Sequence, residues 1–154
     1  MTVEWLPPDG SGAVVFDLSG DRHGFRTTQF NGTFQTLTRP VLRRSAGQLG
    51  ATAVDRTLGE RAVSLQCHVR GSTVAEFYER MTVLTQALAG VPGEVDSPVS
   101  LGTLRVHRPD LPSVETLAEP VDSPQEASRP TGNMAIVDIE WLCPSPLWRT
   151  LTDE

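Results

Sequence analysis

The chain has 154 residues, a net charge of -6 and a pI near 5.0, a length that argues for one domain able to own a core. The acidic balance argues against sequence-specific DNA or RNA binding, because nucleic-acid binders offset phosphate with a basic face. Hydrophobic residues make up 38% and charged residues 21%; thirteen glycines and twelve prolines imply many turns and a β-rich chain.

All thirteen basic side chains are arginine. The planar arginine fork suits bidentate pairs at interfaces, and codon bias in a GC-rich genome produces the same composition. The N-terminus has neither the basic region nor the apolar run of a signal peptide. No apolar stretch approaches the roughly 18 residues of a membrane helix. Synthesis in a reducing cytosol follows, so Cys67 and Cys143 are expected as small buried apolar residues and not as a disulfide.

In chain order, residues 1–12 end in Pro7-Pro8-Asp9-Gly10-Ser11-Gly12 and read as a turn-rich N-terminal extension, with Trp5 packed on the body or on a neighbour. Ala13 to Leu18 reads as a first strand. His23 to Phe30 and Thr33 to Leu37 flank Asn31-Gly32, a pair that signals a type I′ hairpin. Residues 38–50 have no clean period and carry Arg39, Arg43 and Arg44 near Pro40. They are expected to form a long loop or arm. Arg61 to Arg70 alternates, with Val63, Leu65, Cys67 and Val69 on the buried face and Ser64, Gln66, His68 and Arg70 on the wet one. Thr52 to Leu58 is a candidate partner for it across Gly59-Glu60.

One amphipathic helix is predicted at about 73–89. Thr73-Val-Ala-Glu76 has capping-box form. Val74, Phe77, Tyr78, Met81, Leu84 and Leu88 recur at helical spacing and form the face docked on a sheet. Gly90 and Pro92 supply the stop. Val99 to His107 reads as a strand, with Gly102 as a bulge or close approach, and Val114 to Glu119 as its partner. Residues 120–133 form a long polar loop. Met134 to Cys143 is the last strand, with Val137, Ile139 and Trp141 on its apolar face, and Pro144-Ser-Pro-Leu-Trp-Arg149 stops it.

The chemistry of catalysis is not visible. His23, His68 and His107 stand alone, without a second ligand at metal-binding spacing. Cys67 and His68 are adjacent and point to opposite faces, so they cannot form a thiolate pair. Phosphate-binding and nucleophile-elbow motifs are missing. No enzyme activity, cofactor or metal is expected.

The order of elements and the terminal Trp141-Leu-Cys143-Pro144-Ser145-Pro146-Leu147-Trp148 together resemble the N-terminal ring-forming domain of siphovirus distal tail proteins, also called phage minor tail proteins. Ser145 stands where that family usually has Asp. The alternating strand that ends in Val-Arg-Gly-Ser before the helix, and the Leu84 to Leu88 helix end, fit the same family. The resemblance spans about residues 11–150. It implies a mainly β fold, a tail-tube-like β-sandwich flanked by one helix. It further implies a homo-oligomeric ring of six copies at the distal end of the tail, in the virion, assembled in the host cytoplasm. Its partners would be the tail tube protein and the tail-tip or baseplate hub protein. Double-stranded DNA would pass through the lumen without specific binding, and no membrane is involved. A ring needs a heterologous interface whose rotation closes. The candidate contact residues are Arg39, Arg43 and Arg44 in the arm, the loop 120–133, and Trp148 with Arg149. Because the chain stops after this close, it is expected to lack the carbohydrate-binding-like second domain of some members. The competing readings are a tail tube or tail terminator subunit and a small carbohydrate-binding β-sandwich. The latter needs exposed aromatics, and only Trp5, Trp141 and Trp148 are on offer.

Overall fold

Period-two alternation builds the strands, and the way those strands pair sets the architecture. A computed structural model describes residues 1–18, 20, 24–32, 38–43, 52–89, 101–121, 125–126, 132–145 and 147–151. The strands are β1 (Thr2–Leu6), β2 (Val14–Asp17), β3 (Phe25–Asn31), β4 (Thr38–Arg43), β5 (Thr52–Leu58), β6 (Arg61–Arg70), β7 (Gly102–Arg108), β8 (Leu111–Pro120), β9 (Gln125–Glu126), β10 (Met134–Cys143) and β11 (Arg149–Thr150). One helix, α1 (Val74–Ala89), follows β6.

The fold is mainly β with one helix, as expected, but the expected sandwich is a barrel. β6 lies antiparallel between β3 and β10, and β1 lies between β2 and β7. β2 joins β3 by a short parallel pairing, Asp17 opposite Arg26. β8 pairs with β7 along its length and meets β10 at its end, with Trp141 opposite Pro120 and Leu142 opposite Glu119. That last pairing closes β1, β2, β3, β6, β10, β8 and β7 into a ring of seven strands. Closure removes the open edges that a sandwich would leave. The ten-residue β8 is long enough to serve both neighbours.

The inward rows meet in one core. Trp5, Phe16, Leu65, Leu104, Val137 and Trp141 are among its fully buried members. Trp141 stacks at a tilt on Trp5, centroids 5.9 Å apart, and Phe16 meets its edge at 6.1 Å. The helix adds Phe77, Leu84, Ala87 and Leu88 to this core. Its start is capped as the sequence suggests. The Thr73 hydroxyl accepts the Glu76 N–H at 3.2 Å, and the Glu76 carboxylate reaches one residue further back than the usual box, to the Ser72 N–H at 2.6 Å. At the other end the Trp5 indole donates to the Ala87 carbonyl at 2.8 Å, satisfying one of the last orphan acceptors of the helix. Val74 and Tyr78 of the predicted stripe are exposed. They are one turn apart on the flank of the helix, outside the arc centred on Leu84 and Leu88.

Several local expectations change. Thr2–Leu6 is no extension: it is a strand hydrogen-bonded on both sides, with Val3 and Trp5 fully buried. Asn31 does not form a type I′ turn, which needs positive φ at both central residues. Gly32 has it, at +102°, and Asn31 does not; Asn31 continues β3 opposite Ser64. A Cβ at residue 32 would lie 2.5 Å from the Ala62 carbonyl, so glycine there lets the chain leave close over β6. Thr52–Leu58 pairs with β4 and not with β6, because β3 and β10 already take both edges of β6. The segment 38–50 is therefore in part a strand: with β5 it makes a two-stranded hairpin arm apart from the barrel sheet. The predicted strand at Val99 begins at Gly102 among the described residues, and the helix stop at Gly90 and Pro92 lies outside them. Within the loop 120–133, Gln125–Glu126 pairs with β10.

Candidate functional site

The predicted contact residues fall in two separate places. Arg39 and Arg43 lie in β4, opposite Thr57 and Thr52 of the hairpin; Arg44 lies outside the described residues. Trp148 and Arg149 lie at the far end of the chain. Trp148 is half-buried against the core, and the Arg61 guanidinium sits 5.6 Å from its ring centroid. Such a contact stabilises by about 0.5–2 kcal/mol, so Trp148 staples the C-terminal segment to the barrel. Arg149 is exposed, opposite Glu115.

Arg61 is not among the contact residues that the sequence predicts. It is in phase with Val63, Leu65 and Cys67, and it is buried at the end of β6, opposite Cys143. Burial lowers its pKa, offset in part by the neighbouring Cys143. A charged residue on the apolar row, with an aromatic near the chain end, is the signal that could have found it.

Outside the barrel two polar clusters are internally satisfied. On β1, β7 and β8, Arg105 reaches Glu115 at 3.1 Å and Glu4 at 3.4 Å, while His107 bridges Glu4 and Ser113, each at 3.1 Å. On β3, β6 and β10, the Gln66 amide donates to Asp138 at 2.8 Å and its Oε1 accepts the Thr28 hydroxyl at 3.1 Å. These ladders fix strand register from the wet side.

A cleft of about 340 Å³ opens where β3, β6, β10 and the start of α1 meet. Arg26, Arg70 and Arg80 give it a cationic lining, with His68, Glu76 and Met134 beside them. Glu76 holds Arg80 at 2.6 Å, and Arg80 also donates to the Arg70 carbonyl. The Glu76 carboxyl is held below its ordinary value, first by the Ser72 hydroxyl and then by the Ser72 backbone N–H. Arg26 and Arg70 are exposed, and neither has an ion-pair partner among the described residues. Gly71 is clasped behind the cleft by Asn133. The Asn133 side-chain amide donates to the Gly71 carbonyl at 2.7 Å, and the Asn133 backbone carbonyl accepts the Gly71 N–H at 3.0 Å.

The arrangement offers charge and shape, and the one hydroxyl among the described residues that line it, Ser72, donates to the Glu76 carboxylate. Cys67 and Cys143 are free and fully buried. Burial pushes their thiols up to about 12 and about 11. Both are therefore expected to resist alkylation at about pH 8, where an ordinary thiol is partly ionised, and to react once the protein is unfolded. Mass spectrometry after iodoacetamide treatment reads this, and rapid native labelling of either would refute the burial. Among the described residues no three of His, Cys, Asp and Glu gather as metal ligands, and no helix is long and apolar enough to cross a membrane. Of the described aromatic side chains, Trp5 and Trp141 are fully buried, Trp148 is half-buried and Tyr78 is exposed.

No protein-family model and no curated protein matches the chain. Solved structures do. The Dit protein of phage SPP1, described as a paradigm of the hub adsorption apparatus of phages that infect Gram-positive bacteria, superposes over 97% of this chain with a TM-score of 0.65 and 16% identity. The fold is shared with phage hub and baseplate proteins. The phage p2 baseplate in its activated conformation, with strontium and again with calcium, covers 91% of the chain at a TM-score of 0.62 and 13% identity. This chain spans 52% of the SPP1 protein and 42% of the p2 chain. At these identities the likeness is one of fold, and it agrees with the family resemblance of the terminal strand and its proline-tryptophan close.

Proposed function

We propose that the chain is a structural protein of a long-tailed phage that forms a ring, of six copies, at the distal end of the tail. In this reading it joins the tail tube to the tail-tip or baseplate hub, and it carries no catalytic activity. The observation that supports it most is the fold match to the SPP1 hub protein over 97% of the chain. The barrel closes its own edges, so ring contacts must use faces and arms. The hairpin β4–β5, which carries Arg39 and Arg43 in a sheet of its own, is suited to reach a neighbour. Arg149 presents a second exposed cation.

The lumen would admit double-stranded DNA without gripping it, since an acidic chain offers phosphate few contacts. The protein would be made in the host cytoplasm and reside in the virion at the tail tip. Native mass spectrometry and negative-stain imaging of the purified chain test the reading. Closed rings of about six copies with a central channel are expected. Long stacked tubes would replace it with a tube subunit, and a monomer at every concentration and in the presence of tube and hub proteins would overturn it.

A further inference from the structure

Resting on the ring reading, we propose that two patches of this chain are the two halves of one head-to-tail contact between copies. The cleft whose unpaired cations are Arg26 and Arg70, with His68 in its lining, receives the acidic and apolar strip of Glu119, Glu140 and Leu142 of the next copy.

The first observation is a set of unpaired charges. The chain has 19 acidic against 13 basic residues, yet Arg26 and Arg70 find no carboxylate among the described residues. Other cations are engaged: Arg80 by Glu76, Arg105 by Glu4 and Glu115, and Arg61 by the Trp148 ring. Glu119 and Glu140 likewise have no cation among the described residues. Arg149 lies at mid-strand of β8, opposite Glu115 and four residues, about 13 Å of strand, from Glu119.

The second observation is distance. Arg26 is on β3 and Glu119 on β8, three strands apart in the closed ring of seven, the widest separation that ring allows. Along β10, Met134 borders the cleft and Leu142 lies in the strip. Those eight steps span about 26 Å of strand. One copy cannot join its own patches, so the complement must come from another molecule. A contact between two different patches is heterologous, the kind that generates a ring when its rotation closes.

The third observation is the make-up of the strip. Val121 follows the end of β8 and donates its N–H to the Glu140 carbonyl. Leu117, Val121 and Leu142 are 46%, 49% and 37% exposed. Large apolar side chains beside unpaired acids match an interface in which burial supplies affinity and charge selects the partner and its register.

The test uses two charge reversals, Arg26→Glu with Arg70→Glu, and Glu119→Arg with Glu140→Arg. All four positions are at least partly exposed, and circular dichroism and thermal melting confirm that each variant folds. Native mass spectrometry at low salt then reads assembly. Each variant alone is expected to lose about tenfold of its ring population, as charge pairs at a contact set partner choice. An equimolar mixture is expected to recover it, in rings with equal numbers of both chains, because in alternating copies every interface again pairs opposite charges, an acidic cleft with a basic strip and a basic cleft with an acidic strip in turn. Rings that persist in either variant, or a mixture of folded variants that does not recover, would overturn this inference and leave the ring reading standing. A wild-type chain that forms no ring, alone or with tube and hub proteins, overturns both.

Discussion

Replacing Trp5 with alanine is expected to destabilise the protein by about 3–5 kcal/mol, among the largest losses of any single truncation in the chain. Three things are lost together. The indole is fully buried, it leans on Trp141 at 5.9 Å, and it donates to the Ala87 carbonyl at 2.8 Å. The hydrogen bond ties the end of α1 to β1, so the helix would loosen from the barrel as the cavity opens. Phenylalanine separates the contributions. Trp5→Phe keeps an aromatic ring but leaves the Ala87 acceptor unpaired, which adds about 1–3 kcal/mol to the lost packing. Trp141→Phe loses comparable packing without that second cost, because its indole nitrogen has no acceptor among the described residues. Urea unfolding would give the three values. A Trp5→Ala loss below about 1.5 kcal/mol, well under the usual range, would mean that the helix and β1 are not coupled as described.

Much of this fold is legible in the sequence because alternation speaks directly to burial. The periods of Val63, Leu65, Cys67 and Val69, of Val137, Ile139 and Trp141, and of Phe77, Leu84 and Leu88 place β6, β10 and α1 within a residue or so. What the period does not carry is the identity of the neighbour. An inward row reads the same in a sandwich and in a barrel. Closure rests on Trp141 and Leu142 meeting Pro120 and Glu119, a pairing across a long polar segment that no local pattern announces. β1 is hidden by its short length and by the turn residues that follow it. Local turn signals mislead at Asn31-Gly32 and at Gly59-Glu60, because the long-range pairing of β6 with β3 and β10 decides which strands can be its neighbours.

The cleft is less legible than the barrel. Arg26 and Arg70 sit on the wet faces of their strands, as many arginines do. They become neighbours only because β3 and β6 run antiparallel with Arg26 opposite His68. The capping role of Thr73 and Glu76 is visible in the sequence, and so is the i, i+4 spacing that pairs Glu76 with Arg80, yet nothing local shows that Arg26 and Arg70 meet at the same cleft and stay unpaired among the described residues. The staple of Arg61 and Trp148 joins the start of β6 to the chain's last segment, again a relation of register and not of motif.

Gly102→Ala tests a close approach of backbone to the core. A Cβ there would lie 2.6 Å from Trp5 Cζ2, nearer still to Cη2, and 2.7 Å from the Leu6 carbonyl. Alanine reduces the freedom of the unfolded chain, which favours folding by about 0.4–1 kcal/mol. Steric strain opposes it. Trp5 cannot swing away, because its ring is packed on Trp141 and its nitrogen is held by Ala87. Forcing an extra methyl into such a site costs about 1–3 kcal/mol and sometimes more, so a net loss is expected. The pair should also be non-additive. In a Trp5→Phe background the benzo ring that carries Cζ2 and Cη2 is gone, and the Leu6 carbonyl is what still crowds the new methyl. Gly102→Ala is then expected to cost about 1 kcal/mol less than in the wild type, within the usual range for residues in contact. Equal costs in both backgrounds would place the strain in the backbone of β1 and not in the indole, and the ring of Trp5 would no longer be the reason that residue 102 is glycine.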